Sequence, residues 1–254
     1  MAIVSFIGAG PGDPELITLK AVNRIRSAGI IIYAGSLVPK SVFLPHTNLS
    51  EENIISSADL TLEETHQLMV QTVLKGENVA RIHTGDPSIY GAIYEQMALL
   101  DEDGIDYEVI PGISSAMAAA AALKTEFMIP DGTQTVMFTR SHGKTPVPEL
   151  EDLEKLASHQ STMVIFLSAH KADAVVEKLS KHYPVKTPAV IAYRIGWPDE
   201  MIIRTTIGGI SSCISEKRIH KQALIMVGEV FAEKKRLNTR SVLYGKEKNE
   251  RSNG

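Results

Sequence analysis

The sequence is poor in three features that would each have fixed a class. It has one cysteine, Cys213, among 254 residues. A lone thiol closes no internal disulfide and builds no cysteine-based metal cluster, so no metal site is expected, and such cysteine usage fits a reducing compartment, the cytoplasm by default. Long hydrophobic runs are missing as well. No apolar stretch approaches the roughly 20 residues that span a bilayer, and Met1 leads straight into a strand-like run at 3–7 without a basic region, an apolar segment or a small-residue cleavage site. The expectation is a protein neither exported nor integral to a membrane. Excess positive charge is the third absence. Lys+Arg number 26 against 30 Asp+Glu, for a formal net charge of -4, and the sequence pI is near 6.1. That balance creates no general field for nucleic acid, and a polyanionic partner needs a local basic site.

What is present reads as a globular enzyme. The chain is 44% hydrophobic and 22% charged, an ordinary balance for a folded soluble domain, and its length suits one large α/β domain or two modest ones. The first half alternates strands and helices, which argues for a sheet of substantial parallel character. Strand 3–7 runs into Gly8-Ala9-Gly10-Pro11-Gly12-Asp13, followed by a helix over 14–28 that Gly29 terminates and a strand over 29–33. Thr61 and Glu64 have capping-box spacing, so a helix starts there and ends at Gly76. Strand 78–83, a loop over 84–90, a helix over 91–103 and strand 107–110 follow, closed by Pro111-Gly112. Ser114-Ser115-Ala116-Met117 then leads five alanines in a helix whose small side chains permit close packing.

The domain junction is placed between 128 and 133, giving an N-terminal domain of 1–129, a C-terminal domain of 130–232 and a polar tail, 233–254, read as disordered. The C-terminal domain carries strands 135–139, 163–167, 189–193, 201–205 and 223–227, with helices over 169–182 and near Ile210. A turn at Gly196-Trp197-Pro198 suggests a hairpin and hence a mixed sheet. No internal repeat is found.

Gly8-x-Gly10 after a first strand invites a dinucleotide-binding reading, but Asp13 stands where the third glycine belongs, and the second strand ends at Tyr33-Ala34-Gly35 without an acid to hold a ribose. The bland reading of Gly8 to Gly12 is a tight strand-to-helix turn in which Pro11 fixes φ. A second glycine loop, Thr84-Gly85-Asp86-Pro87-Ser88-Ile89-Tyr90-Gly91, also follows a strand and precedes a helix. Both loops should therefore emerge at one carboxyl edge of a parallel sheet, where ligands of open α/β sheets bind. Asp86 taken alone reads first as a cap of the next helix. The whole loop combines a rigid turn, free backbone groups and an aromatic ring, and suits an uncharged or cationic nucleoside better than a phosphate.

The set Gly8 to Asp13, Thr84 to Pro87 and Pro111-Gly112-Ile113-Ser114-Ser115-Ala116 strongly resembles the tetrapyrrole methylases in order and spacing, from about residue 3 to 230. Tyr33-Ala34-Gly35-Ser36-Leu37, His83 to Gly91, Thr139-Arg140 with Gly143-Lys144-Thr145-Pro146, and Tyr193 to Glu200 look like the branch that methylates carbon 11 of precorrin-4 in cobalamin synthesis. The compact chain favours the cobalt-dependent, anaerobic route. The resemblance implies two αβα domains, S-adenosylmethionine in the inter-domain cleft, and a homodimer.

Carried over residue by residue, Pro11, Thr84, Gly85, Asp86, Ile89, Ser114 and Ser115 would line the cofactor from the first domain, and Leu167, Arg194, Ile195, Ala223 and Leu224 from the second. Ser115 stands where many members have Ala, and Ile195 where the uroporphyrinogen methylases often have Gly. The implied substrate is a tetrapyrrole polycarboxylate, for which Gly12, Asp13, Arg140 and Lys144 are the binding candidates, arginine being able to grip a carboxylate through paired hydrogen bonds. His83, Asp86, Tyr90 and Glu200 are the candidates for proton handling or macrocycle contact, although methyl transfer to a nucleophilic ring carbon does not demand a strong base. The alternatives are a methylase of another tetrapyrrole such as uroporphyrinogen, and a noncatalytic nucleoside-binding α/β protein. A diphthine-synthase-like enzyme is disfavoured by the segments at 140–146 and 197–200.

Overall fold

The apolar run near the N-terminus forms β1 (Val4–Gly8), and all five of its residues are buried. β2 (Ala28–Tyr33), β3 (Ile54–Ser56), β4 (Asn78–His83) and β5 (Tyr107–Ile110) complete a sheet of order β3-β2-β4-β1-β5. Every pairing in it is parallel, and helices cover both faces, which is why its strands are apolar nearly throughout. The computed structural model describes residues 2–35, 37–130, 132–143 and 145–233, so Lys144 and the tail expected beyond 233 lie outside the described residues.

The four helices of this region are α1 (Leu19–Arg26), α2 (Leu62–Leu74), α3 (Ile93–Glu102) and α4 (Ser115–Leu123). α1 lays Ala21 and Ile25 on Ile7, Ile31 and Ile82. On the opposite face, Met69 of α2 and Ile93 and Leu100 of α3 pack with Val4, Phe6, Ile32 and Val79. Neighbouring β1 and β4 thus send their following helices to opposite faces. That reversal opens a crevice at their carboxyl ends, the switch point at which open α/β sheets bind ligands.

The capping box at the start of α2 forms as expected: the Glu64 backbone N–H donates to Thr61 Oγ1 at 3.1 Å, and the Thr61 N–H donates to the Glu64 carboxylate at 2.8 Å. The single helix expected over 14–28 is instead a 3-10 turn, Pro14–Leu16, followed by α1. Two cap-competent residues split it: Asp13 accepts from the Glu15 N–H and Thr18 from the Ala21 N–H. Gly29 is no helix terminator either. It lies inside β2, where a Cβ would come within 2.6 Å of the Glu77 carboxylate.

A second sheet contains β6 (Val136–Arg140), β7 (Thr162–Phe166), β8 (Pro188–Tyr193), β9 (Met201–Thr206) and β10 (Ala223–Val227) in the order β6-β7-β10-β8-β9. β6 and β7 are parallel and the remaining pairs antiparallel, giving the mixed sheet and the β8–β9 hairpin read from the sequence. α5 (Leu153–Ala157), α6 (Ala172–Ser180) and α7 (Ile210–Glu216) cover a core that includes Met163, Val175, Leu179, Ile191, Ile210 and Ile225.

The chain divides into two compact units, Met1–Ala118 with Arg194–Asp199, and Ala119–Tyr193 with Glu200–Gly254. The division falls inside α4. Residues just after that helix are tied to the second unit, since Thr125 Oγ1 donates to the Val230 carbonyl at 3.1 Å and Thr162 Oγ1 to that of Phe127 at 2.7 Å. Among the described residues, no helix is long and apolar enough to cross a membrane.

Candidate functional site

At the switch point of the first unit the three glycine motifs meet. Gly10 and Gly85 form an isolated bridge: the Gly85 N–H donates to the Gly10 carbonyl at 2.8 Å, and the Gly10 N–H to the Gly85 carbonyl at 3.2 Å. Gly112 lies against both loops. A Cβ on Gly112 would stand 2.1 Å from the Gly85 carbonyl oxygen, and one on Gly8 would stand 2.5 Å from the Gly112 nitrogen. Backbones this close admit no side chain, which accounts for glycine at both positions.

Asp86 ties the motifs together. One carboxylate oxygen accepts from the backbone and hydroxyl of Ser88, and the other accepts from the Gly112 N–H at 3.0 Å. It does not cap α3, which begins only at Ile93 behind Ala92. Ser114, 6% exposed, accepts from the Ala116 N–H at the start of α4. Ser114 and Ser115 lie beside Gly85. Thr84 is exposed, Ile89 half-buried, and Tyr90 exposed with a left-handed φ of 55°.

His83 ends β4 beneath this loop. Its ring is 4% exposed and its Nε2 has no hydrogen-bond partner. Burial first, and then the charge of Arg81, push its pKa down to about 3, against the opposing effect of a hydrogen bond with the Gly91 backbone. The imidazole is therefore neutral at ordinary pH.

The β8–β9 connection supplies Arg194–Asp199 to the same unit. The Arg194 guanidinium lies 4.0 Å over the Trp197 ring and its Nε donates to Asp199 Oδ1 at 2.7 Å. Trp197 sits on Gly12, where φ is 138° and a Cβ would be 2.6 Å from the indole Cδ1. Gly196 lies against Pro11 and the Asp13 nitrogen, and Ile195 is buried. Pro11, Gly12, Asp13, Arg194 and Ile195 are thus brought together, with the Asp13 carboxylate engaged as a cap.

The second unit collects its own candidates at one edge of its sheet. Arg140 ends β6 opposite Phe166, and Leu167 follows with a φ of 52° and 63% exposure. Ala223 and Leu224 open the antiparallel β10 at this edge, Ala223 pairing with Tyr193, and Glu200 is exposed just before β9. The Arg140 guanidinium donates to the Thr145 and Pro146 carbonyls at 3.0 and 3.2 Å, tying those two residues to the end of β6. The Ser141 N–H and hydroxyl both donate to Ser168 Oγ, which is fully buried and absent from the sequence-based candidates. Arg81 and Gln96 were also missed. Their signal was a charged residue inside the otherwise apolar Val79-Ala80-Arg81-Ile82.

Three glycine loops woven at the switch point of a parallel sheet, with a second, mixed sheet following in the chain, define the class: the chain belongs to the tetrapyrrole (corrin/porphyrin) methylases, whose family model matches residues 4–211. It is 49% identical over 232 residues to the cobalt-precorrin-4 C(11)-methyltransferase of Methanocaldococcus jannaschii, covering 91% of this chain and 89% of that protein. To the protein of the same name from Priestia megaterium it is 44% identical, over 87% of this chain and 86% of the relative. The X-ray structure of a cobalamin biosynthetic enzyme, cobalt precorrin-4 methyltransferase, matches with a TM-score of 0.86 and 41% identity over 90% of this chain and 95% of that one.

Proposed function

We propose that this chain is an S-adenosylmethionine-dependent C-methyltransferase that adds a methyl group to ring carbon 11 of cobalt-precorrin-4. The observation that carries the reading is near-half identity, sustained over about nine tenths of the chain, to two enzymes bearing that name. The loops of the first unit fit the cofactor. Residues 8–13, 84–91 and 111–115 contain two aspartates and neither lysine nor arginine, so they bring no cationic side chain to a pyrophosphate and suit a sulfonium. Gly8 and Gly112 let the three loops pack backbone to backbone.

S-adenosylmethionine supplies a methyl group on a positively charged sulfur, which an electron-rich carbon displaces in line. The protein's part is alignment, an effect that can reach about 7–11 kcal/mol. In the first unit the residues proposed to contact the cofactor are Pro11, Thr84, Gly85, Ile89, Ser114, Ser115, Arg194 and Ile195; Leu167, Ala223 and Leu224 of the second unit are cofactor candidates by the family resemblance alone. Asp86 orients the loops, its two oxygens accepting hydrogen bonds from Ser88 and Gly112. Buried and neutral, His83 supports the loop from beneath. Tyr90 and Glu200 are both exposed and remain the candidates for macrocycle contact by the family resemblance. Gly12, Asp13, Arg140 and Lys144 are the substrate candidates by the family resemblance, and Arg140 also holds the Thr145 and Pro146 carbonyls. A homodimer and a cytoplasmic location belong to the same proposal, the first supported by the family resemblance and the second by the lone cysteine.

The test is incubation with isotopically labelled cofactor and, in parallel, cobalt-precorrin-4, precorrin-4 and uroporphyrinogen. Mass gain of one labelled methyl on a precorrin-4 form is expected. Tight binding of S-adenosylhomocysteine with transfer to none of the three would identify a nucleoside-binding protein instead.

A further inference from the structure

β4 is covered on both faces, and its inward positions should be apolar. Arg81 breaks that rule. It is 7% exposed and lies on the face that carries Val79, Phe6, Ile32, Ile93 and Leu100. No carboxylate forms an ion pair with it among the described residues. Its Nη1 donates to the Ile32 carbonyl at 3.3 Å, and its Nε donates at 2.9 Å to the Oε1 of Gln96, itself 5% exposed. Gln96 passes the contact on: its Nε2 donates at 2.8 Å to the Ala92 carbonyl. A glutamine amide can turn either end outward. A guanidinium accepts nothing, so it fixes Oε1 toward itself and turns the amide protons toward Ala92.

Ala92 is where the chain needs holding. It precedes α3 without a side-chain cap, at φ 50° and ψ 37°. Tyr90, two residues earlier, is also left-handed, and a Cβ on the intervening Gly91 would lie 2.1 Å from the Pro87 carbonyl oxygen. Non-glycine residues take this conformation only when their surroundings enforce it. We propose that Arg81 and Gln96 are positioning residues for methyl transfer, a buried brace that locks the turn at 90–92 and thereby sets the loop at 84–89 in the geometry that receives the cofactor. A sheet interior built for stability alone would carry an aliphatic pair at these two positions. The inference rests on the reading of that loop as a cofactor loop.

The test uses the full chain, S-adenosylhomocysteine as titrant and the melting temperature as a second readout. In Q96E the guanidinium gains a carboxylate partner while the Ala92 carbonyl loses its donor, so stability and positioning separate. Q96E is expected to keep its melting temperature within about 3 °C of wild type and to bind S-adenosylhomocysteine about tenfold more weakly. Q96E/A92G, in which glycine takes the left-handed conformation without help, recovers most of that loss. R81K, whose ammonium can still donate to Oε1 but gives up the bond to the Ile32 carbonyl, loses measurably less affinity than R81M, which loses about tenfold. Affinity within twofold of wild type in Q96E, no recovery in the double variant, or equal affinities in R81K and R81M would each overturn the brace. Asp86→Ala separates the two levels. If it weakens binding while Q96E does not, the brace alone is wrong; if it too leaves affinity unchanged, the cofactor reading of the loop falls and the brace with it.

Discussion

Replacing Gly112 by alanine tests the glycine weave where it is tightest. The added Cβ would stand 2.1 Å from the Gly85 carbonyl oxygen and 2.8 Å from Gly8 backbone atoms, so one loop must retreat by roughly 1 Å to restore ordinary contact. Overpacking of this kind costs about 1–3 kcal/mol. The Gly112 N–H also donates to Asp86 Oδ2 at 3.0 Å, and a 1 Å shift carries it past hydrogen-bonding range, with a further cost of about 1.5–3 kcal/mol for a bond to a charged acceptor. Neighbouring effects overlap, and a net loss of about 3 kcal/mol lowers the melting temperature by about 6–12 °C. Misplacement by 1 Å also costs about 100-fold in kcat/KM. The assays are thermal melting, titration with S-adenosylhomocysteine and steady-state turnover. Gly208→Ala, whose Cβ meets only Val185 atoms at 3.5 Å or beyond, is the control and should stay within about 0.5 kcal/mol of wild type. Unchanged melting and affinity in Gly112→Ala would refute the packing of the three loops.

Three further outcomes follow from the same geometry. Asp86→Ala releases Ser88 and Gly112 together and should weaken S-adenosylhomocysteine binding by about 10-fold to 100-fold; wild-type affinity by calorimetry would remove Asp86 from the site. His83 has a folded pKa of about 3 against an ordinary 6.5, so the unfolded chain binds its proton more readily. Its contribution is complete above about pH 6.5 and is lost toward pH 3, by about 1.4 kcal/mol per unit. Denaturant unfolding should therefore show wild type losing about 2 kcal/mol more than His83→Leu between pH 7 and pH 5, and parallel losses would contradict the burial. In Arg140→Lys a single ammonium replaces the fork that binds the Thr145 and Pro146 carbonyls, so the KM for the tetrapyrrole should rise about fivefold to tenfold with S-adenosylhomocysteine affinity unchanged. A change in cofactor affinity instead would move Arg140 to the other site.

The sequence made the strands and the three glycine motifs legible because both depend on local pattern. β4, β5 and β10 begin and end where apolar periodicity and flanking turns place them, and the Thr61–Glu64 box is a contact between residues three apart. Competing local signals misled it at 14–29, where two caps divide one periodic stretch and Gly29 serves a strand. α5, five residues long, and the three-residue β3 are too short to carry a period. What the sequence could not show were contacts between distant residues. Asp86 holding Gly112 and Trp197 seated on Gly12 depend on which loops the sheet brings together, and Arg81 reaching Gln96 on how α3 lies over β4. Arg140 reads from the sequence as a carboxylate-binding candidate, and nothing local says that its guanidinium is held by the Thr145 and Pro146 carbonyls.

The most direct test of the central claim is NMR of the product formed from cobalt-precorrin-4 and cofactor carrying an isotopically labelled methyl group. The account predicts a single labelled methyl on ring carbon 11. A label on any other ring carbon, or an unlabelled macrocycle recovered from fully folded protein, would contradict it.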